Sequence, residues 1–170
     1  MLRKEEIDSI SPAASTRQHT LGGEVIVEGK GLLLGEDCRV VIEPAELDSG
    51  IIFERADLDP PIRIPALVDH VAPRARRTTL KSGDASIETV EHCMSALAGM
   101  GIDNALVRVF GPEMPGGDGS ARPFFNPMLE VGTVEQDGER MIFDLREPIV
   151  IDDGDAMIAA IPHEGDGMRV

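Results

Sequence analysis

The chain has 170 residues and a mass of 18.3 kDa, enough for one domain or slightly more. Apolar residues make up 42% and charged residues 28%, the balance of a globular protein rather than a disordered one. Sixteen basic against 31 acidic residues give a formal charge of −15, and the aromatic share is 3% with no Trp or Tyr. Such a field repels phosphate backbones and base-stacking platforms are scarce, so general nucleic-acid binding is excluded.

No apolar run approaches the roughly 20 residues that cross a bilayer, so no transmembrane segment is expected. The opening stretch MLRKEEIDSISPAAS mixes charges with Ser and Pro and has no apolar h-region, which argues against a secretory signal. Cys38 and Cys93 fit no metal or redox spacing. They are expected as reduced, buried thiols of a cytoplasmic protein.

In chain order, residues 1–15 read as a mobile extension. Val25–Val27 is a short β-branched run, followed by a glycine-punctuated turn from Gly29 to Gly35. Cys38, Val40 and Ile42 alternate with Arg39, Val41 and Glu43 up to Pro44, a strand with one face more buried. Gly50–Phe53 reads as another strand. Ile62–Ala66 and Val68–Val71 are shorter, and Pro65 demotes them towards a sheet edge. Arg77–Leu80 and Ala85–Ile87 flank a hairpin loop at Lys81–Asp84.

The clearest helix starts at Thr89. Val90, Cys93, Met94, Leu97 and Ala98 fall on one helical face, with Thr89 as the expected N-cap and Gly99 and Gly101 as the end. Ala105–Phe110 alternates as a strand. Asp118 or Ser120 is placed to cap a second helix through Phe124 and Phe125, which Pro127 should shorten or kink. After Gly132, three strand candidates follow at Met141–Leu145, Ile149–Ile151 and Ala156–Ile161, with turns at Asp152–Asp155 and His163–Gly167. The expected organisation is a complete α+β domain over residues 16–130, a β-sheet backed by a helix pair. Residues 140–170 are expected to open a second, incomplete domain.

Glu91-His92 is the sharpest chemical feature. A neutral imidazole is a common zinc ligand, and an adjacent carboxylate can act as general base. A Glu in a first helical turn also complements the helix dipole, and a His there can be a plain surface residue. Gly119 and Ser120 could offer N–H groups to an anion, or simply form a turn and cap. Arg74, Arg76 and Arg77 form the basic cluster, either for a diphosphate or as solvated charge.

The ordered series Thr89-Val90-Glu91-His92, Ser95-Ala96-Leu97-Ala98-Gly99-Met100-Gly101-Ile102-Asp103-Asn104, Gly111-Pro112-Glu113, Pro115, Asp118-Gly119-Ser120-Ala121 and Pro123-Phe124 resembles the UDP-3-O-acyl-N-acetylglucosamine deacetylase family. Gly29-x-Gly31-Leu32, Pro44-Ala45 and Gly50-Ile51-x-Phe53-x-Arg55 match upstream, in order. The resemblance implies a cytoplasmic zinc amidohydrolase of lipid A biosynthesis, built as two similar α+β domains with the active site between them. By position, Glu91 is implied as the catalytic base and His92 as one zinc ligand. Arg76, Arg77 and Thr78 lie in a region implied to be near the UDP-sugar substrate.

The family's remaining ligands, from a His-Lys-x-x-Asp helix, have no counterpart before Val170. They are expected beyond residue 170, in a missing second domain or a partner supplying it. His19, His70 and His163 match no ligand position. The family's Gly-Leu-His-Ser/Thr-Gly is replaced by Leu33 and Leu34 between Gly31 and Gly35, and its Pro-Ile-Met-Asp by Pro115-Gly116-Gly117-Asp118. The first change removes a polar group and the second is expected to loosen a loop. Two functions therefore stand: part of a zinc deacetylase, inactive in isolation, or a catalytically inactive binding or regulatory module.

Overall fold

The computed structural model describes residues 17–141, 145 and 147–162. They belong to two compact units, one running to Arg140 and one starting at Met141. In chain order the first unit contains β1 (Arg17–Leu21), β2 (Val25–Lys30), β3 (Asp37–Pro44), β4 (Ile51–Arg55), β5 (Ile62–Pro65) and a 3-10 turn (Val68–His70). Then follow β6 (Val71–Ala72), β7 (Thr79–Ser82), β8 (Ala85–Glu88), α1 (Glu91–Gly99), β9 (Ala105–Phe110), α2 (Arg122–Val131) and β10 (Thr133–Glu139). The described residues form an α+β fold, a mixed sheet with two helices, as expected.

The main sheet has five strands in the order β2-β3-β9-β4-β5. Only the β4–β9 pair is parallel. Register lines up Val25, Ile42, Val107, Phe53 and Ile64 across all five strands, and each is at most 2% exposed. Cys93, Ala96 and Leu97 of α1 and Phe124 and Met128 of α2 belong to the same core. One face of the sheet is thus sealed by the helix pair. Pro65 sits on the edge strand β5, where a missing N–H costs no ladder bond.

On the opposite face, period-two alternation presents charges. Glu54 of β4 is 6% exposed and accepts hydrogen bonds from Arg63 Nε at 2.9 Å and Arg108 Nε at 3.1 Å. Arg39 and Arg108 both stack over the Phe110 ring, 5.5 and 5.8 Å from its centroid. A three-stranded sheet, β6-β7-β8, flanks the core, with Leu80, Ala85 and Ile87 buried in it. Its hairpin is tighter than expected. Ser82 pairs with Ala85, leaving Gly83 and Asp84 as the turn, with Gly83 at φ +58°.

Helix α1 ends as its glycines indicate. Gly101 adopts φ +67°, its N–H donates to Ala98 O at 3.0 Å, and Ile102 N–H donates to Leu97 O at 3.0 Å. That pair is the Schellman arrangement, with Gly at the left-handed position. Other details differ from the sequence reading. Met94 and Ala98 do not join the buried face, which consists instead of Val90, Cys93, Ala96, Leu97 and Met100. Val68–His70 forms a 3-10 turn, and only Val71–Ala72 is strand. Pro127 lies inside α2 without stopping it, and the helix runs on to Val131.

Strand β10 is absent from the sequence reading and places the end of the first unit at Arg140. It pairs antiparallel with β1. Asn104, 1% exposed, ties this ribbon to the main sheet. Its Nδ2 donates to Gln18 Oε1 and Gln136 Oε1, both at 2.7 Å, and its Oδ1 accepts the Gly50 N–H at 2.8 Å. Arg140 closes the unit with two guanidinium bonds to Asp103, both at 2.8 Å. In the second unit, β11 (Ile149–Asp152) and β12 (Met157–Ala160) form an antiparallel hairpin whose residues are all exposed. The expected extension at 1–15, most of the Met141–Leu145 strand and the His163–Gly167 turn lie outside the described residues.

Truncating Asn104 strands the Gly50 N–H and leaves Gln136 Oε1 without its donor, while Gln18 Oε1 keeps the Asp48 N–H at 3.2 Å. Asn104→Ala should cost roughly 3 kcal/mol, at about 1–3 kcal/mol per buried group left unpaired. Gly101→Ala should cost about 1–2 kcal/mol, the left-handed penalty of one residue with a Cβ. Denaturant melts of both variants check this order, and equal or reversed losses would contradict the network's role.

Candidate active site

The chain passes from β8 into α1 through two residues, Thr89 and Val90. Thr89 adopts φ +62°, left-handed, and Val90 is already in the right-handed helical region. A β-branched residue in that conformation is a true outlier, costing on the order of 1–3 kcal/mol. Thr89 is 2% exposed, so the surroundings must hold it there. No side chain caps the helix. The expected Thr89 cap is not made, because its hydroxyl is used elsewhere: Thr89 Oγ1 donates to Glu113 Oε1 at 3.2 Å.

Glu113 is itself 2% exposed. Its carboxylate also accepts the Leu33 N–H on Oε1 and the Leu34 N–H on Oε2, both at 2.9 Å. Its backbone lies beside the end of β8: Glu88 N–H donates to Pro112 O at 2.9 Å, and Met114 N–H donates to Glu88 O at 3.0 Å. Gly31 must be glycine here, since a Cβ would lie 2.2 Å from Glu113 Oε2. One carboxylate thus joins the Gly31–Gly35 turn, the Glu113 segment and the launch of α1. In the sequence Glu113 stands out only as a family landmark, in Gly111-Pro112-Glu113. The available signal was an acidic residue beside Met114 and Pro115, a setting in which a carboxylate needs partners.

Glu91 follows two residues after the left-handed turn, in the first turn of α1. Its Oε2 accepts the Thr78 N–H at 3.0 Å, while Val90 N–H donates to Thr78 O at 3.3 Å. The end of the Arg74–Thr78 loop and the start of α1 are therefore laced together. Glu91 lines an apolar groove of about 450 Å³ with Val71, Leu80, Val90 and Met94. Ala98 and Ser95 continue it along the helix, which explains why Met94 and Ala98 are not in the core. His92 is half-buried on a different side of α1, and among the described residues its ring has no hydrogen-bond or ion-pair partner.

The three residues implied near substrate divide. Thr78 lines the groove, with its N–H committed to Glu91. Arg77 Nε lies 2.7 Å from Glu88 Oε2, with side chains 24% and 15% exposed. Its N–H is not aimed as a hydrogen bond, so the contact is a charge pair. Arg76 is exposed at φ +62°. Asp118 and Ser120 make the turn rather than an anion cradle. Asp118 Oδ1 accepts both the N–H and the hydroxyl of Ser120, at 3.0 and 2.7 Å. These bonds hold the Asp118 carboxyl below the usual Asp range.

The Gly116-Gly117 pair is tightly packed, not loose as expected. A Cβ on Gly116 would meet Leu32 Cβ at 3.0 Å, and one on Gly117, at φ +54°, would meet Pro123 Cγ at 2.5 Å. Two side chains larger than hydrogen could not enter without moving the Leu32 loop or α2.

Cys38 and Cys93 are free and buried, and burial pushes both thiols up, Cys38 also through the charge of Glu113. His19 Nδ1 lies 3.0 Å from Arg17 O and His70 Nδ1 lies 3.2 Å from Lys81 O. Neither approaches His92 as a ligand set. Among the described residues no three His, Cys, Asp or Glu side chains come together to hold a metal. His92 fits as one ligand, and the described residues do not complete a site. No described helix is long and apolar enough to cross a membrane.

Comparison with known proteins agrees with the order of the motifs. The family model for LpxC, UDP-3-O-acyl N-acetylglycosamine deacetylase, matches residues 18–170. Proteins named UDP-3-O-acyl-N-acetylglucosamine deacetylase from Pseudomonas entomophila, Teredinibacter turnerae and Saccharophagus degradans are each 40% identical over 149 residues. The match covers 88% of this chain and 49% of each relative, so the chain spans about half the length of the curated relatives it matches. Motif order, α+β architecture and these matches converge: the chain belongs to the UDP-3-O-acyl-N-acetylglucosamine deacetylase family.

Proposed function

We propose that this chain supplies part of the active site of a zinc-dependent, cytoplasmic amidohydrolase of lipid A biosynthesis. The reaction is removal of acetate from the 2-amino group of UDP-3-O-acyl-N-acetylglucosamine. The observation that carries the reading is Glu91. Its carboxylate is held by the Thr78 N–H in the lining of an apolar groove, one residue before an imidazole with no described partner.

Glu91 takes a proton from the attacking water at a carboxylate oxygen and returns it to the nitrogen of the leaving amine. The Thr78 N–H occupies Oε2, which leaves Oε1 for that transfer. The groove walls thin out competing water around it. His92 would hold zinc through one imidazole nitrogen, with the other protein ligands supplied by a second domain or a partner. When bound, zinc polarises the amide carbonyl and lowers the pKa of water. Arg76 is free to meet the diphosphate, whereas Arg77 would first have to leave Glu88. The alternative, a module without catalysis, draws on Leu33 and Leu34, which are 45% and 50% exposed where the family carries polar side chains.

Residues 1–170 alone should release no acetate from this substrate and, after dialysis, hold little zinc, because a single His retains the ion weakly. Stoichiometric zinc by elemental analysis, lost in His92→Ala, would show a complete site within the chain and defeat the divided-site reading.

Joined to the rest of a family member, the chain should regain zinc and activity. Glu91→Gln should then lower kcat by about 10²–10⁴-fold with zinc content unchanged, the usual worth of a positioned acid–base group. His92→Ala should deplete zinc instead. Full kcat in Glu91→Gln, or loss of zinc in that variant, would reverse the assignment of roles.

A further inference from the structure

Thr89 and Glu113 are the deeply buried polar pair next to the proposed site. We propose that Glu113 is a positioning residue for Glu91 and His92, acting through the hydroxyl of Thr89. The inference rests on the reading of Glu91 and His92 given above.

Where β8 meets α1, the φ of residue 89 sets the direction in which the helix leaves, and with it the first turn that carries Glu91 and His92. A threonine does not keep φ +62° by preference. Local sequence favours an extended or right-handed residue there, and either would swing the first helical turn away from Thr78. The side chain of Thr89 has one polar atom, and that atom donates to Glu113 Oε1 at 3.2 Å. Glu113 cannot drift toward Thr89 or away from it. Leu33 N–H and Leu34 N–H hold its two oxygens at 2.9 Å, Gly31 packs against the carboxylate, and its backbone is pinned to Glu88. The anchor is therefore fixed from a separate loop, and the strained residue hangs from it. Thr78, bonded to both Val90 and Glu91, records where the turn arrives.

The same arrangement assigns a role to the Gly31–Gly35 turn that does not depend on its side chains. Leu33 and Leu34 act through their backbone N–H groups. Replacement of the family's polar residues at these positions leaves this anchoring intact.

The test compares Thr89→Val with Thr89→Gly. Both lack the hydroxyl. Valine resists the left-handed region more than any polar residue, whereas glycine enters it freely. In the 170-residue chain, NMR reads the sign of φ at residue 89 from the intraresidue amide-to-Hα cross-peak, and the position of the first turn from the His92 ring resonances. Thr89→Val should lose the left-handed signature and shift the His92 resonances. Thr89→Ser should keep both, and Thr89→Gly, whose two Hα protons carry no such signature, should keep the His92 resonances. In the chain joined to the rest of a family member, Thr89→Val should lower kcat by about 10–100-fold with KM little changed, the scale expected for a misplacement near 1 Å. Glu113→Ala, which removes the oxygen that accepts from Thr89, should behave like Thr89→Val, and adding Thr89→Gly to it should restore the His92 resonances and most of kcat.

A purely stabilising role would not be rescued by glycine, which removes the hydrogen bond altogether. If Thr89→Val keeps the signature and the His92 resonances, or if Thr89→Gly shifts those resonances, the proposal is overturned. Should Glu113→Ala not fold, the valine–glycine contrast decides alone. The deacetylase reading fails separately, through full activity in Glu91→Gln, and the NMR result stands or falls without it.

Discussion

Placing a carboxylate at 2% exposure costs several kcal/mol unless its lone pairs are taken by donors. Glu113 meets that demand with two backbone N–H groups from one loop and one hydroxyl from the β8–α1 junction. The demand works in both directions. The carboxylate needs the Gly31–Gly35 turn in place, and the turn cannot close around it unless residue 31 lacks a side chain. Thr89 satisfies its buried hydroxyl only while its backbone stays left-handed. Three segments distant in sequence are therefore correct together or not at all.

The core supplies the rigidity that makes this constraint useful. The row from Val25 to Ile64 fixes the five strands in register, and a slip of one residue would carry every buried side chain to the charged face. Burying a large aliphatic or aromatic side chain contributes about 1.5–3 kcal/mol, so the row and the helix faces over it dominate stability. With α1 packed down through Cys93, Ala96 and Leu97, its opposite flank is free to face the groove. Glu91 and His92 inherit their positions from both sides: the core below, and the Glu113 anchor at the helix start.

The charged ladder on the far face serves a different end. Glu54 lies between Arg63 and Arg108 across three strands, and Arg39 and Arg108 cover Phe110. The guanidiniums bond the buried Glu54 carboxylate, so the ladder satisfies a charge where the core-facing side satisfies none. A sheet with one apolar and one charged face has a single way to sit against its helices, and that fixes which side α1 approaches.

Much of this was legible in the residues themselves. Period-two alternation marks β3 and β9, Pro65 announces an edge strand, and Gly101 stops α1, because each follows from local geometry that the sequence alone encodes. Glu91 and His92 stand out through residue type and motif order. Other features depend on partners far away in the chain. Thr-Val-Glu-Gln-Asp-Gly-Glu has little strand preference, and β10 exists because β1 offers it a ladder and Asn104 reaches Gln136. Met94 and Ala98 fit a buried helical face by spacing, yet the 3-10 turn and β7 leave them beside a groove. Thr89 resembles an ordinary helix cap, and only the arrival of Glu113 from beyond β9 draws its hydroxyl away. Sequence set the elements and the chemistry of their side chains; tertiary structure decided which polar atoms meet, because buried donors and acceptors are satisfied across the fold rather than along the chain.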